Sequence, residues 1–206
     1  MDHTRGEGRR EEEAMSASEI SPTRVTLDPQ TGVLRGAGVT ESVKTLRQLA
    51  GYFRDEAARA AMDPETVLYR VQSYEPQPEG VEGAICCATT FLMPGRVGDE
   101  YFMTRGHYHA AQDRPEMEVT VSGEGVLVLM DENRQTRAEI MRPGSVHAVP
   151  PRTAHRVANI GTEPLVFVSY WPSETGHDYG EIVARGFSGR VRQINGKPAL
   201  VPEPEA

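Results

Sequence analysis

Beyond about Met62 the apolar residues of this chain fall into short runs separated by Gly, Pro and Asp turns, and the runs are rich in β-branched and aromatic residues. Val67 to Tyr74, Ile85 to Leu92, Val119 to Val121, Val126 to Met130, Arg137 to Met141, Ser145 to Val149, His155 to Asn159 and Leu165 to Trp171 are predicted as strands. Connections such as "SGEG" and "DENRQ" suit antiparallel hairpins, and no helical crossover of the kind parallel strands need lies between the runs. Many strands at short spacing mean a sandwich or barrel. Ahead of them the pattern differs. Between Thr40 and Met62, Val43, Leu46, Leu49 and Phe53 recur at helical spacing and Gly51 marks a break, which predicts two short helices packed on the sheet. From Met1 to about Glu19 there is only polar and charged sequence, including "RREEEA", so disorder or a frayed helix is expected there, and Met15 offers an alternative start.

Length and charge narrow the function classes. At 206 residues the chain suits one domain with extended ends: a disordered tail over 1–22, the domain over 23–190 including the helical segment, and a C-terminal strand with a loose "VPEPEA" tail over 191–206. The formal net charge of -8 argues against nucleic acid and against an anionic membrane surface, so an anionic ligand has to be gripped locally. No apolar run approaches a membrane span and the N-terminus lacks the apolar core of a signal peptide, which reads as a soluble, cytoplasmic protein. Cys86 and Cys87 are adjacent in one predicted strand, point to opposite faces and have neither disulfide-framework nor zinc-ribbon spacing. They read as small buried hydrophobes.

The candidate chemistry lies in "TRGHYHAAQDRPEMEVTVSGEG". Residues two apart on a strand share a face, so His107 and His109 can offer two imidazole nitrogens to one ion. Glu116 follows after a short loop, and "GSVHAVPPRTAHRVANIG" adds His155 on a later strand. Three imidazoles and a carboxylate suit one divalent Fe, Mn, Ni, Co or Zn ion, with positions left open for water or substrate. Other histidines read differently. His147, between Val146 and Val149, is expected as a core or rim residue; His3 belongs to the tail; His177 in "TGHDYG" could simply serve a turn. Arg96, Arg105, Arg152 and Arg156 are each expected as solvated surface charges, Arg105 having the best claim to a phosphate because a guanidinium fork matches phosphate oxygens.

His-x-His, Glu116 and Gly123 resemble the first cupin motif, and Gly144, Pro150, His155 and Asn159 the second, with Arg152 where that motif usually has glycine. "ATTFLMPGRVGDEYFMTRGHYHAAQDRPE", "PPRTAHRVANIG" and "SETGHDYGEIVARGFS" are similar to the cupin-type phosphoglucose isomerases, metal-dependent enzymes of archaea and some bacteria, and the similarity runs from about Val25 through Arg190. The resemblance implies an all-β fold: a single cupin barrel, the double-stranded β-helix or jelly roll, here with the N-terminal helical segment. It implies His107, His109, Glu116 and His155 as metal ligands, iron(II) foremost, and a homodimer. It also implies a sugar-phosphate pocket onto which Tyr69, Thr90, Thr104, Gly106, His177 and Tyr179 match position by position. Without it, Tyr69, Thr90 and Thr104 would be ordinary strand residues. This chain departs from the family at Glu118 and Trp171, where tyrosine is usual. Strand alternation puts Glu118 on the same face as Glu116 and makes it a rival ligand, although the spacing to Gly123 favours Glu116.

The activity so implied is interconversion of glucose 6-phosphate and fructose 6-phosphate, a step of glycolysis and gluconeogenesis. A proton-transfer route through a cis-enediol needs a base, for which Glu116, Glu118 and His177 are candidates; a metal-templated hydride shift needs none, and both routes stay open. Two rivals are a cupin dioxygenase with a three-histidine, one-glutamate iron site, and a non-enzymatic sugar-phosphate-binding cupin.

Overall fold

The structure is a computed structural model and describes residues 24–203; the stretch expected to be disordered, 1–22, and the end of the "VPEPEA" tail lie outside the described residues. A small hairpin of β1 (Val25–Leu27) and β2 (Leu34–Gly36) opens the described chain. It leads into β3 (Val39–Thr45), a 3-10 turn over Leu46–Leu49, and α1 (Glu56–Ala60). Then come β4 (Val67–Tyr74), β5 (Ile85–Leu92) and the two-residue strands β6 (Arg96–Val97), β7 (Glu100–Tyr101) and β8 (Tyr108–His109). After these run β9 (Glu116–Ser122), β10 (Gly125–Met130), β11 (Thr136–Met141), β12 (Val146–Val149), β13 (Ala154–Asn159) and β14 (Leu165–Pro172). The chain finishes with β15 (His177–Asp178), α2 (Gly180–Arg185), β16 (Gly189–Ile194) and β17 (Lys197–Pro202).

Two sheets enclose the core as a cupin barrel. The larger has six strands in the order β12-β9-β14-β5-β4-β3 and the smaller three, β11-β10-β13, with every pairing antiparallel. Strand alternation sends Leu92, Leu165 and Phe167 inward to meet Leu127, Leu129, Met141 and Val149, all buried. A bulge in β9, where Val121 has no partner between Ser122↔Val166 and Thr120↔Phe167, bends the large sheet. Asn159 ties the two sheets together: its buried amide donates to the Leu92 and Glu163 carbonyls at 2.8 and 2.9 Å, and its oxygen accepts from the Gly161 N–H.

Three expectations need correction. The helical segment over 40–62 is mostly something else: Thr40 to Thr45 belongs to strand β3, and only a 3-10 turn and the five-residue α1 are helical. Leu46, Leu49 and Phe53 do enter the core, but Val43 stands 42% exposed on the outer face of the large sheet, so its helical phase with them was coincidental. The division expected at 190/191 falls inside β16, while the C-terminal strand expected beyond it is β17, which pairs with β16 as a hairpin down to Gly189↔Pro202. Finally, Arg156 is buried, not a surface charge. Its guanidinium donates to the Arg105 carbonyl at 2.7 Å and lies 4.2 Å from the Phe187 ring centre, which offset much of the desolvation of a cation. Burial pulls its pKa down to about 10.

Candidate active site

The inner face of the large sheet, β13 and the short β8–β15 ribbon line a cavity of about 310 Å³, at the lower end of the range of roughly 300–1,000 Å³ usual for small-ligand sites. His109 lies on β8, Glu116 opens β9 and His155 is on β13, while His107 is tied to His155 by a reciprocal pair of backbone hydrogen bonds at 3.2 and 3.1 Å. Four donor atoms, one each from His107, His109, Glu116 and His155, all lie within 4.8 Å of one another. Glu118, the rival, is not in this group. It pairs with Ser169 one inward position further along β9, and one of its carboxylate oxygens is buried with no hydrogen-bond partner.

The donor set fits a divalent cation on the geometry of His109 alone. Its Nδ1 is 2.6 Å from the Arg114 carbonyl and therefore carries the proton, so Nε2 turns its lone pair toward a Glu116 oxygen 3.2 Å away. Two acceptors facing each other at that distance are stable only with a cation, a proton or a metal ion, between them. Electrostatics agree. Burial, and then the neighbouring His155 and His177, hold His107 well below the usual histidine range, which keeps its imidazole neutral. Burial alone would raise the Glu116 carboxyl, but His155, His109 and His107 outweigh it and keep the group ionised. Neutral imidazoles and an ionised carboxylate are the forms that ligate. Glu118 is pushed the other way, raised by burial and then by Glu116 and Glu139.

The residues matched for substrate lie around the same cavity: Tyr69, Thr90, Thr104, Arg105, Gly106, His177 and Tyr179 all line it. The Tyr69 hydroxyl accepts from the Arg105 N–H at 3.4 Å and the Thr104 hydroxyl from the Val157 N–H at 3.0 Å, which leaves both hydroxyl hydrogens free to donate to a ligand. Gly106 has φ +75°, and a Cβ there would come within 2.7 Å of the Phe187 ring and 3.0 Å of the His155 carbonyl, so only glycine fits the turn that carries the histidines. His177 sits on β15, paired in register with His109, with its ring centre 4.5 Å from that of His107. His147 is buried and bound between Glu139 and Ser145, each at 2.8 Å, as a rim histidine.

A family model described as glucose-6-phosphate isomerase matches residues 43–199. The chain belongs to that family. The glucose-6-phosphate isomerase of Pyrococcus furiosus is 41% identical over 185 residues, covering 89% of this chain and 96% of that one. The enzyme of the same name from Thermococcus litoralis is 40% identical over 186 residues, again covering 89% and 96%. Among solved structures, oxalate decarboxylase from Bacillus subtilis overlaps 53% of this chain and 26% of its own at 25% identity, with a TM-score of 0.43.

Glu118 and Trp171, the two positions where the resemblance implied tyrosine, both line the cavity. The sequence reading missed Ser42, Lys44, Phe167 and Ser169, which line it too, and Tyr52, whose hydroxyl accepts from the Arg105 guanidinium. For Ser42 and Lys44 a signal existed. Val39, Thr40, Val43 and Thr45 are β-branched, and reading that run as a strand puts Ser42 and Lys44 on one face.

Proposed function

We propose that the chain catalyses the reversible isomerisation of glucose 6-phosphate and fructose 6-phosphate. One divalent ion, iron(II) foremost with Mn, Ni, Co or Zn as alternatives, would be held by His107, His109, Glu116 and His155 and, when bound, would polarise sugar oxygens as a Lewis acid. The observation that carries this reading is the convergence of those four donors on a cavity lined with hydroxyl donors, in a chain about two-fifths identical to named isomerases.

The aldose-to-ketose direction moves one hydrogen from C2 to C1 and one proton from O2 to O1, so no redox partner is required. The hydroxyls of Tyr69, Thr90, Thr104 and Tyr179, the Gly106 N–H and the Arg105 guanidinium would hold the polyol and phosphate. His177 would move the proton between O1 and O2 or assist ring opening; in support, it is half-exposed at the cavity mouth, stacked with Tyr179 and 3.4 Å from the Glu79 carboxylate. Glu116 faces the imidazoles too closely to serve also as a free base, which leaves Glu118 and His177 for a proton-transfer route.

The reading extends to a homodimer working in the cytoplasm. In support of a second copy, the outer face of the large sheet presents Ile85, Met117, Val146 and Tyr170 to solvent, an apolar patch of the kind that self-association covers. Among the described residues no helix is long and apolar enough to cross a membrane.

The test is to give metal-loaded protein fructose 6-phosphate, couple glucose 6-phosphate formation to a detecting enzyme, and record oxygen uptake. Isomerisation without oxygen consumption is expected. Oxygen uptake would favour the dioxygenase, and sugar-phosphate binding without either reaction the non-enzymatic cupin.

A further inference from the structure

The connection between β4 and β5, residues 75–84, reaches the cavity mouth at Glu79. Ser173 holds this loop. Buried just beyond β14, it donates its N–H to the Ala84 carbonyl at 3.0 Å and its hydroxyl to the Val81 carbonyl, while its own carbonyl accepts from the Gly80 N–H at 3.0 Å. Gly80 has φ +84°, and the Val81 N–H returns to the Pro78 carbonyl at 3.2 Å, which closes the turn that presents Glu79. From the other side Gly176, with φ +59°, brings the chain past that carboxylate: a Cβ there would stand 3.5 Å from the Glu79 Oε1 and 3.0 Å from the Ala110 Cβ. The carboxylate so placed lies 3.4 Å from His177 Nδ1, the one hydrogen bond that this imidazole makes among the described residues. Nor does Glu79 pair with an arginine or lysine among them.

A carboxylate only accepts, so the proton of a neutral His177 belongs on Nδ1. Nε2 then carries the lone pair, and with Nδ1 turned to Glu79 it is the nitrogen left for the cavity that His177 lines. The side chains of Glu79 and His177 are 62% and 39% exposed, so the pair adds little to stability. We propose that Glu79 is a positioning residue for the reaction: its carboxylate selects the Nδ1–H tautomer of His177 and aims Nε2 at the O1–O2 edge of the open-chain sugar. The inference rests on the isomerase reading for the substrate, and on geometry alone for the tautomer. In this form Nε2 takes the proton from O2 and returns it to O1, so the imidazole ends as it began and no other reactant is consumed. In the opposite tautomer Nε2 would present a hydrogen to the sugar and could not take one. Glu79 does not line the cavity, so its loss should lower kcat through His177 and leave KM and metal content alone.

Wild type, Glu79→Ala, Glu79→Gln, His177→Ala and the double variant Glu79→Ala/His177→Ala would be compared as full-length, metal-loaded protein with fructose 6-phosphate. Glu79→Ala should lose about 10-fold in kcat, less than removal of the imidazole, with KM within about twofold; Glu79→Gln, whose amide oxygen still accepts, should recover most of the loss. In the His177→Ala background the same substitution should cost less than about twofold, since a residue that acts through the imidazole has nothing left to act on. A loss of full size in that background would make Glu79 a structural residue of the loop and overturn the proposal, as would a kcat in Glu79→Ala within about twofold of wild type. The tautomer is read separately, from the ring nitrogen resonances of zinc-loaded, histidine-labelled protein at about pH 8.5, above the ordinary histidine range, with the His177→Ala spectrum assigning the signals. Wild type should show His177 protonated on Nδ1, and Glu79→Ala a shift toward the Nε2–H form; an Nε2–H ring in wild type overturns the proposal whatever the activity. Absent turnover in a wild type that shows the Nδ1–H ring would count against the isomerase reading, since the nitrogen spectra stand without it.

Discussion

The two ends of the cavity are built on different principles. At the histidine end the donors come from segments buried between the two sheets, and the backbones of His107 and His155 are hydrogen-bonded to each other. At the other end Lys44 projects from an edge strand, Tyr52 from a loop and Tyr179 from the segment after the β8–β15 ribbon, and contacts to aromatic rings take the place of ladders. The first arrangement fixes positions at the cost of burying polar groups, which is tolerable only where an ion and hydrogen bonds satisfy them. The second leaves cations uncommitted and half-solvated, ready for an anion that arrives and leaves. On the proposed reading, chemistry would fall to the first end and substrate capture to the second.

The contrast breaks most sharply at His155. His155→Ala should reduce bound metal to near zero, and since a Lewis acid is worth several kcal/mol, kcat should fall by about 10³ or more. Metal analysis beside the coupled assay checks this, and full occupancy in the variant would remove His155 from the ligand set. His177→Ala should keep metal and fold yet lose about 10²-fold in kcat, the lower range for acid–base assistance. Near-normal kcat would reduce His177 to a turn residue and favour a hydride shift without it.

A smaller effect separates Glu118 from its neighbour Glu116. The folded protein holds the Glu118 proton more tightly than the unfolded chain, for which the ordinary value is 4.5. Between that value and the raised folded one the native state binds more protons, so this group's share of stability is full below 4.5 and is lost as pH rises. Glu118→Gln, permanently neutral, should therefore melt about 2–4 °C higher than wild type in chelator-treated protein near pH 7.5, with the gap closing toward about pH 5. A gap that widens on acidification would show that Glu118 is ionised and supported in the fold. Smallest of all is Arg152, outside the cavity with φ 59°, its backbone N–H donating to the Gln112 carbonyl and its side chain making a solvent-exposed contact to Glu132 at 3.6 Å. Arg152→Gly should relieve left-handed strain worth about 1 kcal/mol and raise the melting temperature by about 2–4 °C, with turnover unchanged.

The sequence was readable where local pattern and tertiary role coincide. Val67–Tyr74 and Ile85–Leu92 match their expected bounds because β-branched runs end at turn residues, and the His-x-His with Glu116 and His155 could be found because ligand types are rare and their spacing follows strand alternation. It misled where two periods overlap. Val43, Leu46, Leu49 and Phe53 fit a helix, yet the first faces outward from a sheet and the rest fill the core from a 3-10 turn and a loop. Two-residue strands such as β6 and β7 carry no period at all. The burial of Arg156 depends on Phe187, 31 residues away, and on the Arg105 carbonyl, partners that no local window contains.

The most direct test of the account is to strip the protein of metal, add iron(II) back in steps, and measure bound metal and fructose 6-phosphate isomerisation on the same samples. Turnover should be absent at zero metal and rise in proportion until one ion is bound per chain. Isomerisation at an undiminished rate in demonstrably metal-free protein would contradict it.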